Sequence, residues 1–180
     1  MNNFKKVIFL SLVFIFSLQS IAYANTRKVT LDEYDPRSMT FEERAKWVEE
    51  NVEPTRIYIN NSPQTRADGE WIYTDIESTP VESQTGYQIG IFETQARFIV
   101  DENEKVLDWA TERCEAIPIT MGFHETDITS NRIADNNVRI VYEAWFSEMS
   151  GAFFVEHWYN LHGWGAYDVR VVTGSETEFR

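Results

Sequence analysis

The sequence is poor in the residues that usually advertise a reaction. It has one cysteine, Cys114. A lone thiol cannot close an internal disulfide, so the fold must hold by packing, and a CxxC redox or zinc motif is excluded. No histidine stands near Cys114 in sequence, so it reads as a buried thiol on a strand rather than a nucleophile. There are three histidines, His124, His157 and His162. A tetrahedral zinc site needs three or four close ligands, and no H-E-x-x-H spacing occurs. Only a convergence in space of His124, Glu125, Asp127, Glu156 and His157 could supply one, so neither a metal nor a cofactor is expected. Asp101-Glu102-Asn103-Glu104 resembles the start of a calcium loop, but Lys105 and Val106 stand where an oxygen ligand and the turn glycine belong. It reads as a hairpin connection. No nucleophile elbow built on serine and no glycine loop for phosphate is present.

Basic residues are also scarce, 16 Lys and Arg against 29 Asp and Glu, for a formal charge of −13. A field of this sign repels nucleic acid and anionic membrane surfaces and excludes both as natural partners. It suits basic partners, or simply solubility. Long apolar runs are lacking except one, from Val7 to Leu18, which only Ser11 and Ser17 interrupt. A membrane span needs about 20 apolar residues, and this run is shorter. It follows Lys5 and Lys6 and precedes Ala22-Tyr23-Ala24, a small-x-small cleavage pattern. Residues 1–24 are therefore expected to be a cleavable signal peptide, and the working chain to act in the periplasm or outside the cell. No cysteine lies near the cleavage point, so lipid anchoring is not expected, and no membrane span remains after cleavage. Loss of Lys5 and Lys6 makes the remainder more acidic still.

What is present is pattern. Residues 25–39 are polar, carry Pro36 and read as an extended lead-in to a single globular domain, 40–180. Thr40-Phe41-Glu42-Glu43 matches a capping box. Phe41, Ala45, Val48 and Val52 then follow at helical spacing until Pro54, which predicts a helix over 41–51. Beyond Pro54 the period becomes two. Strands are expected around 56–59, 71–76, 87–100, 106–110, 117–121, 138–146, 152–159 and 167–172. Thr79-Pro80 and Gly86 bracket a loop, and residues 124–137 read as irregular. The fold class is α+β and β-dominated: one N-terminal helix followed by an antiparallel meander of about eight strands. A sheet of that size must curl or close, so a small barrel or strongly curled sheet is expected.

The densest chemistry lies between Val138 and Tyr167. Glu143-Ala144-Trp145 and Glu156-His157-Trp158 repeat one pattern, and residues two apart on a strand share a face. A turn symmetric about Met149-Ser150 places Glu143 opposite Glu156. Two adjacent carboxylates cannot both ionise cheaply, so one pKa would rise, which suits acid–base work or binding of a cation. Glu143, Glu156 and His157 are thus the catalytic candidates of a hydrolase-like reading, and paired carboxylates are also the currency of glycoside hydrolysis. Trp145, Trp158, Trp164 and Tyr167 are the candidate ligand-binding rings, since flat aromatics beside acids suit sugars or amphiphiles. Because no motif names a reaction, the sequence points first to an exported binding protein whose target is a protein or a small amphiphilic ligand. A hydrolase-like enzyme and a structural envelope component are the alternatives.

Overall fold

The computed structural model describes residues 24–59, 70–83, 85–120, 124–130, 138–148, 151–163 and 166–175. The expected signal peptide, apart from Ala24, lies outside them, as does Trp164. Among the described residues, one helix and ten strands form two sheets. No helix there is long and apolar enough to cross a membrane.

The helix, α1 (Phe41–Asn51), begins where the capping box puts it. Thr40 Oγ1 accepts from the Glu43 amide at 3.2 Å, and Glu43 Oε2 accepts from the Thr40 amide at 2.8 Å. Glu42 and Glu43 sit in the first turn, where the helix dipole favours negative charge. The chain leaves the helix at Val52, whose backbone is extended.

The stretch read as a lead-in is part of the fold. Its β1 (Thr26–Thr30) pairs in parallel with β10 (Ala166–Ser175). The same edge of β10 takes β2 (Thr55–Tyr58) in antiparallel pairing. The first sheet then runs through β9 (Gly151–His162) and β8 (Arg139–Glu148) to β7 (His124–Ser130). The second sheet centres on β5 (Gln88–Val100), with β3 (Ile72–Tyr73) and β4 (Glu77–Glu82) along one edge and β6 (Val106–Pro118) along the other.

The β-dominated class stands, but several finer expectations need correction. The sheets are mixed rather than purely antiparallel, because β1 returns alongside β10, and the described strands lie in two sheets with no closed barrel among them. Thr79-Pro80 lies inside β4 instead of opening a loop; proline is tolerated there because β4 is an edge strand. β6 is one strand where two were expected, and two register shifts against β5 absorb its irregularity. Residues 124–130, read as irregular, form β7. Cys114 lies on β6 and is half-buried.

Strand alternation gives the first sheet two buried faces. One meets the second sheet through Ile140, Tyr142, Phe146, Tyr159 and Tyr167 against Ile72, Phe92 and Phe98. Each such apolar side chain contributes about 1.5–3 kcal/mol on burial. The other face carries Val141, Trp145, Phe154, Trp158 and Val172 and is covered by Tyr34, Ala45, Val48 and Val52 from the N-terminal part of the chain. The layers are therefore helix, sheet, sheet. β6 runs close to β7, while β4 stands over β9 and leaves a cleft toward β1 and β10.

Candidate functional site

Glu143 and Glu156 are direct cross-strand partners on β8 and β9. Their face of the sheet lies under the helix, and the helix supplies what sits between them. Nη2 of Arg44 donates to Glu143 Oε2 and to Glu156 Oε1. The Tyr34 hydroxyl donates to Glu156 Oε2 at 2.6 Å. The repeated Glu-x-Trp pattern acquires a physical meaning here. Each indole N–H donates to the glutamate two residues before it, Trp158 to Glu156 at 2.7 Å and Trp145 to Glu143 at 3.2 Å. Phe41 stacks on Trp158 with ring centres 5.5 Å apart, and the Arg37 guanidinium lies 3.8 Å above the Trp145 ring.

Electrostatics make this cluster a staple. Glu156 is fully buried, and burial raises its pKa to about 7 despite the opposing charge of Arg44. One guanidinium nitrogen serves two carboxylates, so the negative charge of the pair is not fully cancelled. Burial opposes the charge of Arg44, but the carboxylates of Glu156 and Glu143 outweigh it and raise its pKa. Burial and the Glu156 carboxylate likewise push the Tyr34 hydroxyl up. Glu156 accepts from Arg44, Tyr34 and Trp158 and is fully buried, while Glu143 keeps a small exposed edge.

His157 does not join this pair, which corrects the hydrolase-like constellation. Consecutive strand residues point to opposite faces, so His157 enters the layer between the sheets. Its ring nitrogens lie 2.7 Å from Thr79 Oγ1 and 2.7 Å from Thr94 Oγ1. Burial pushes it down to about 3, so the imidazole is neutral across ordinary pH. The surrounding network continues from Thr94 to the Tyr159 hydroxyl at 2.8 Å. Beside it, the Tyr167 hydroxyl donates to Glu77 Oε1 at 3.0 Å and accepts from the Asp75 amide. Burial lifts Glu77 to about 7, with the nearby Asp75 adding to the shift and Tyr167 opposing it.

The candidate ligand rings are placed as structure rather than as exposed surface. Trp145 and Trp158 are covered by the N-terminal layer, and Tyr167 is fully buried between the sheets. None of these three lines the cleft. His162 bonds Asp168 Oδ2 at 2.7 Å, and Asp168 also takes Arg56 of β2. Partial burial would raise the Asp168 carboxyl, but hydrogen bonds from Arg56 and His162 hold it below its ordinary value. The side chains of residues 124–127 lie outside the description, and among the described residues no cluster of His, Cys, Asp and Glu is arranged to hold a metal ion.

Among the described residues, a cleft of about 370 Å³ has room for a ligand. Phe153 and Val155 of β9 and Thr173 of β10 form its floor, β1 one wall, and β4 from Thr79 the other. Gly174 is required beside it: a Cβ there would lie 2.3 Å from the Phe154 ring. Lys28 and Glu82 meet across the cleft at 2.5 Å. The sequence reading missed this site, along with Arg44 and Tyr34. A signal for Arg44 existed, since it falls three residues after Phe41 and four before Val48, within the apolar stripe.

No protein-family model matches the chain, and no curated protein matches it in sequence. Among solved structures it is similar to the hypothetical protein lmo2686 from Listeria monocytogenes EGD-e, at 7% identity, over 66% of this chain and 98% of that one. The TM-score is 0.36, too low for the likeness to bear on the fold or the function.

Proposed function

We propose that this chain is a binding protein, exported and not lipid-anchored, that acts in the periplasm or outside the cell and holds a small amphiphilic ligand in the cleft beside β4. In this reading the two sheets form a half-barrel, closed where β6 meets β7 and open at the seam between β4 and β1. The observation that carries it is the cleft itself. Its volume suits a small molecule, and its lining mixes apolar side chains such as Val81, Phe153 and Val155 with threonine and serine hydroxyls. None of its described lining residues is a histidine or a cysteine, and Arg44 bridges the acid pair that suggested catalysis.

A protein partner adding a strand to β4 is the weaker version. The ladder with β5 passes through Pro80 only if its nitrogen faces outward, so the open edge lacks a donor at its centre. The test is an NMR titration of residues 25–180 with dodecyl amphiphiles below their micellar concentrations. Saturable shifts centred on Val29, Val81, Phe153 and Thr173 are expected, and Thr173→Trp, at a half-buried position in the cleft, should abolish them while circular dichroism stays native. Shifts that never saturate, or that spread over the surface and survive Thr173→Trp, would sink the proposal.

A further inference from the structure

Resting on that reading of the cleft, we infer that its ligand is zwitterionic: an ammonium and an anionic group side by side, attached to an apolar body. Among the described lining residues, Lys28 and Glu82 are the only charged side chains. They carry opposite signs, stand on opposite walls, and close on each other at 2.5 Å. Both are substantially exposed, 72% for Lys28 and 40% for Glu82, so water screens the bridge and it adds little to stability. It therefore works better as a latch than as a brace.

A ligand that enters between the walls must part the latch. A singly charged amphiphile satisfies one of the two partners and leaves the other without its counter-charge. A zwitterion replaces both contacts at once, its ammonium on Glu82 and its anionic group on Lys28. The acidity of the whole chain points the same way, since a net anion would approach against a formal charge of −13 while a zwitterion would not. Below the latch, Val81, Phe153 and Val155, otherwise packed in the core, turn their remaining edges toward the apolar body, and Thr173 lines the same cleft.

Free apolar amino acids and zwitterionic lipid headgroups share this chemistry. The experiment separates them by titrating residues 25–180 with leucine, dodecylphosphocholine, laurate and dodecyltrimethylammonium, followed by the amide shifts of the lining residues. At least one zwitterion is expected to bind about tenfold or more tightly than either singly charged amphiphile. Preference for leucine would indicate an amino-acid source, and preference for dodecylphosphocholine a lipid one. Lys28→Glu should weaken zwitterion binding by about tenfold, and Lys28→Glu with Glu82→Lys should restore it. Circular dichroism should show that these exposed substitutions leave the fold intact. Equal binding of all the dodecyl compounds, or no recovery in the swapped pair, would overturn zwitterion selection while leaving the cleft as a binding site. If no probe shifts the lining residues, both readings fall.

Discussion

Glu156 and His157 are neighbours in sequence and equally buried, yet the protein treats them in opposite ways. On the helix face, Glu156 is met by charge: Arg44 reaches in, and Tyr34 and Trp158 add donors. On the inter-sheet face, His157 is met by two threonine hydroxyls and is kept neutral. The first solution binds one layer firmly to the next but leaves a buried charge exposed to any loss of its partner. The second demands little electrostatically at neutral pH and becomes costly when the solution would charge the ring.

Breaking the first arrangement should have the largest effect. Arg44→Ala leaves two carboxylates without their cation and should destabilise the fold by about 3–5 kcal/mol in urea unfolding. Arg44→Met combined with Glu143→Gln and Glu156→Gln removes the charges as a unit and should recover most of that loss. If the triple variant is no better than Arg44→Ala, neither buried charge nor packing of the arginine stem accounts for the loss, and the hydrogen bonds of Arg44 hold the layer.

The second arrangement is tested by acid. The folded pKa of His157 lies below the ordinary value, so its contribution is present above about pH 6.5 and is lost as pH falls toward 3. The stability advantage of the native protein over His157→Asn should narrow by about 3 kcal/mol between pH 7 and pH 4. Glu156 carries the opposite sign. Its pKa is raised, so its contribution is full below about pH 4.5 and is lost as pH climbs through 7. Glu156→Gln should therefore flatten the alkaline side of the stability curve, where His157→Asn flattens the acid side. Parallel curves for the two variants would dissolve the contrast between the faces.

Smaller effects sharpen the same picture. Tyr167→Phe removes the hydroxyl that Glu77 and the Asp75 amide share, and should cost about 1–3 kcal/mol. It should also raise the Glu77 pKa further, as read by side-chain carboxyl shifts against pH, because that hydroxyl favours the carboxylate. The gentlest perturbation lies outside both faces. Thr40→Ala removes the cap of α1 and should lower stability by about 1 kcal/mol, with the unfolding slope unchanged.

The parts of this molecule that could be read from sequence are those set by local chemistry. The helix follows from Thr40 and Glu43 reaching each other across one turn. The pairing of Glu143 with Glu156 follows from a turn symmetric about Met149-Ser150 and the period of a strand. The same period separates His157 from the pair, and the expectation that joined them set alternation aside. Arg44 stayed hidden because a charge inside an apolar stripe reads as solvent-facing until a buried partner is known. β4 stayed hidden because Thr79-Pro80 carries a loop signal that only its edge position overrides. The cleft could not be read at all, since its walls come from residues 26, 28, 29, 79–83, 86, 153–155 and 173–175, which share no local pattern.

β10 pairs with β1, β2 and β9 at once. Strands from the beginning of the described chain therefore find their places only after its last strand has arrived. Neither β1 nor β2 pairs with any earlier strand that could hold it meanwhile. The pairings of β7, β8 and β9 join neighbours in sequence and can form first, but a chain stopped short of β10 would carry β1 and β2 with nowhere to dock. Closing that edge is slow, because distant parts of the chain must meet before either strand pairs. Its N-terminal edge stays loose for as long as β10 is withheld.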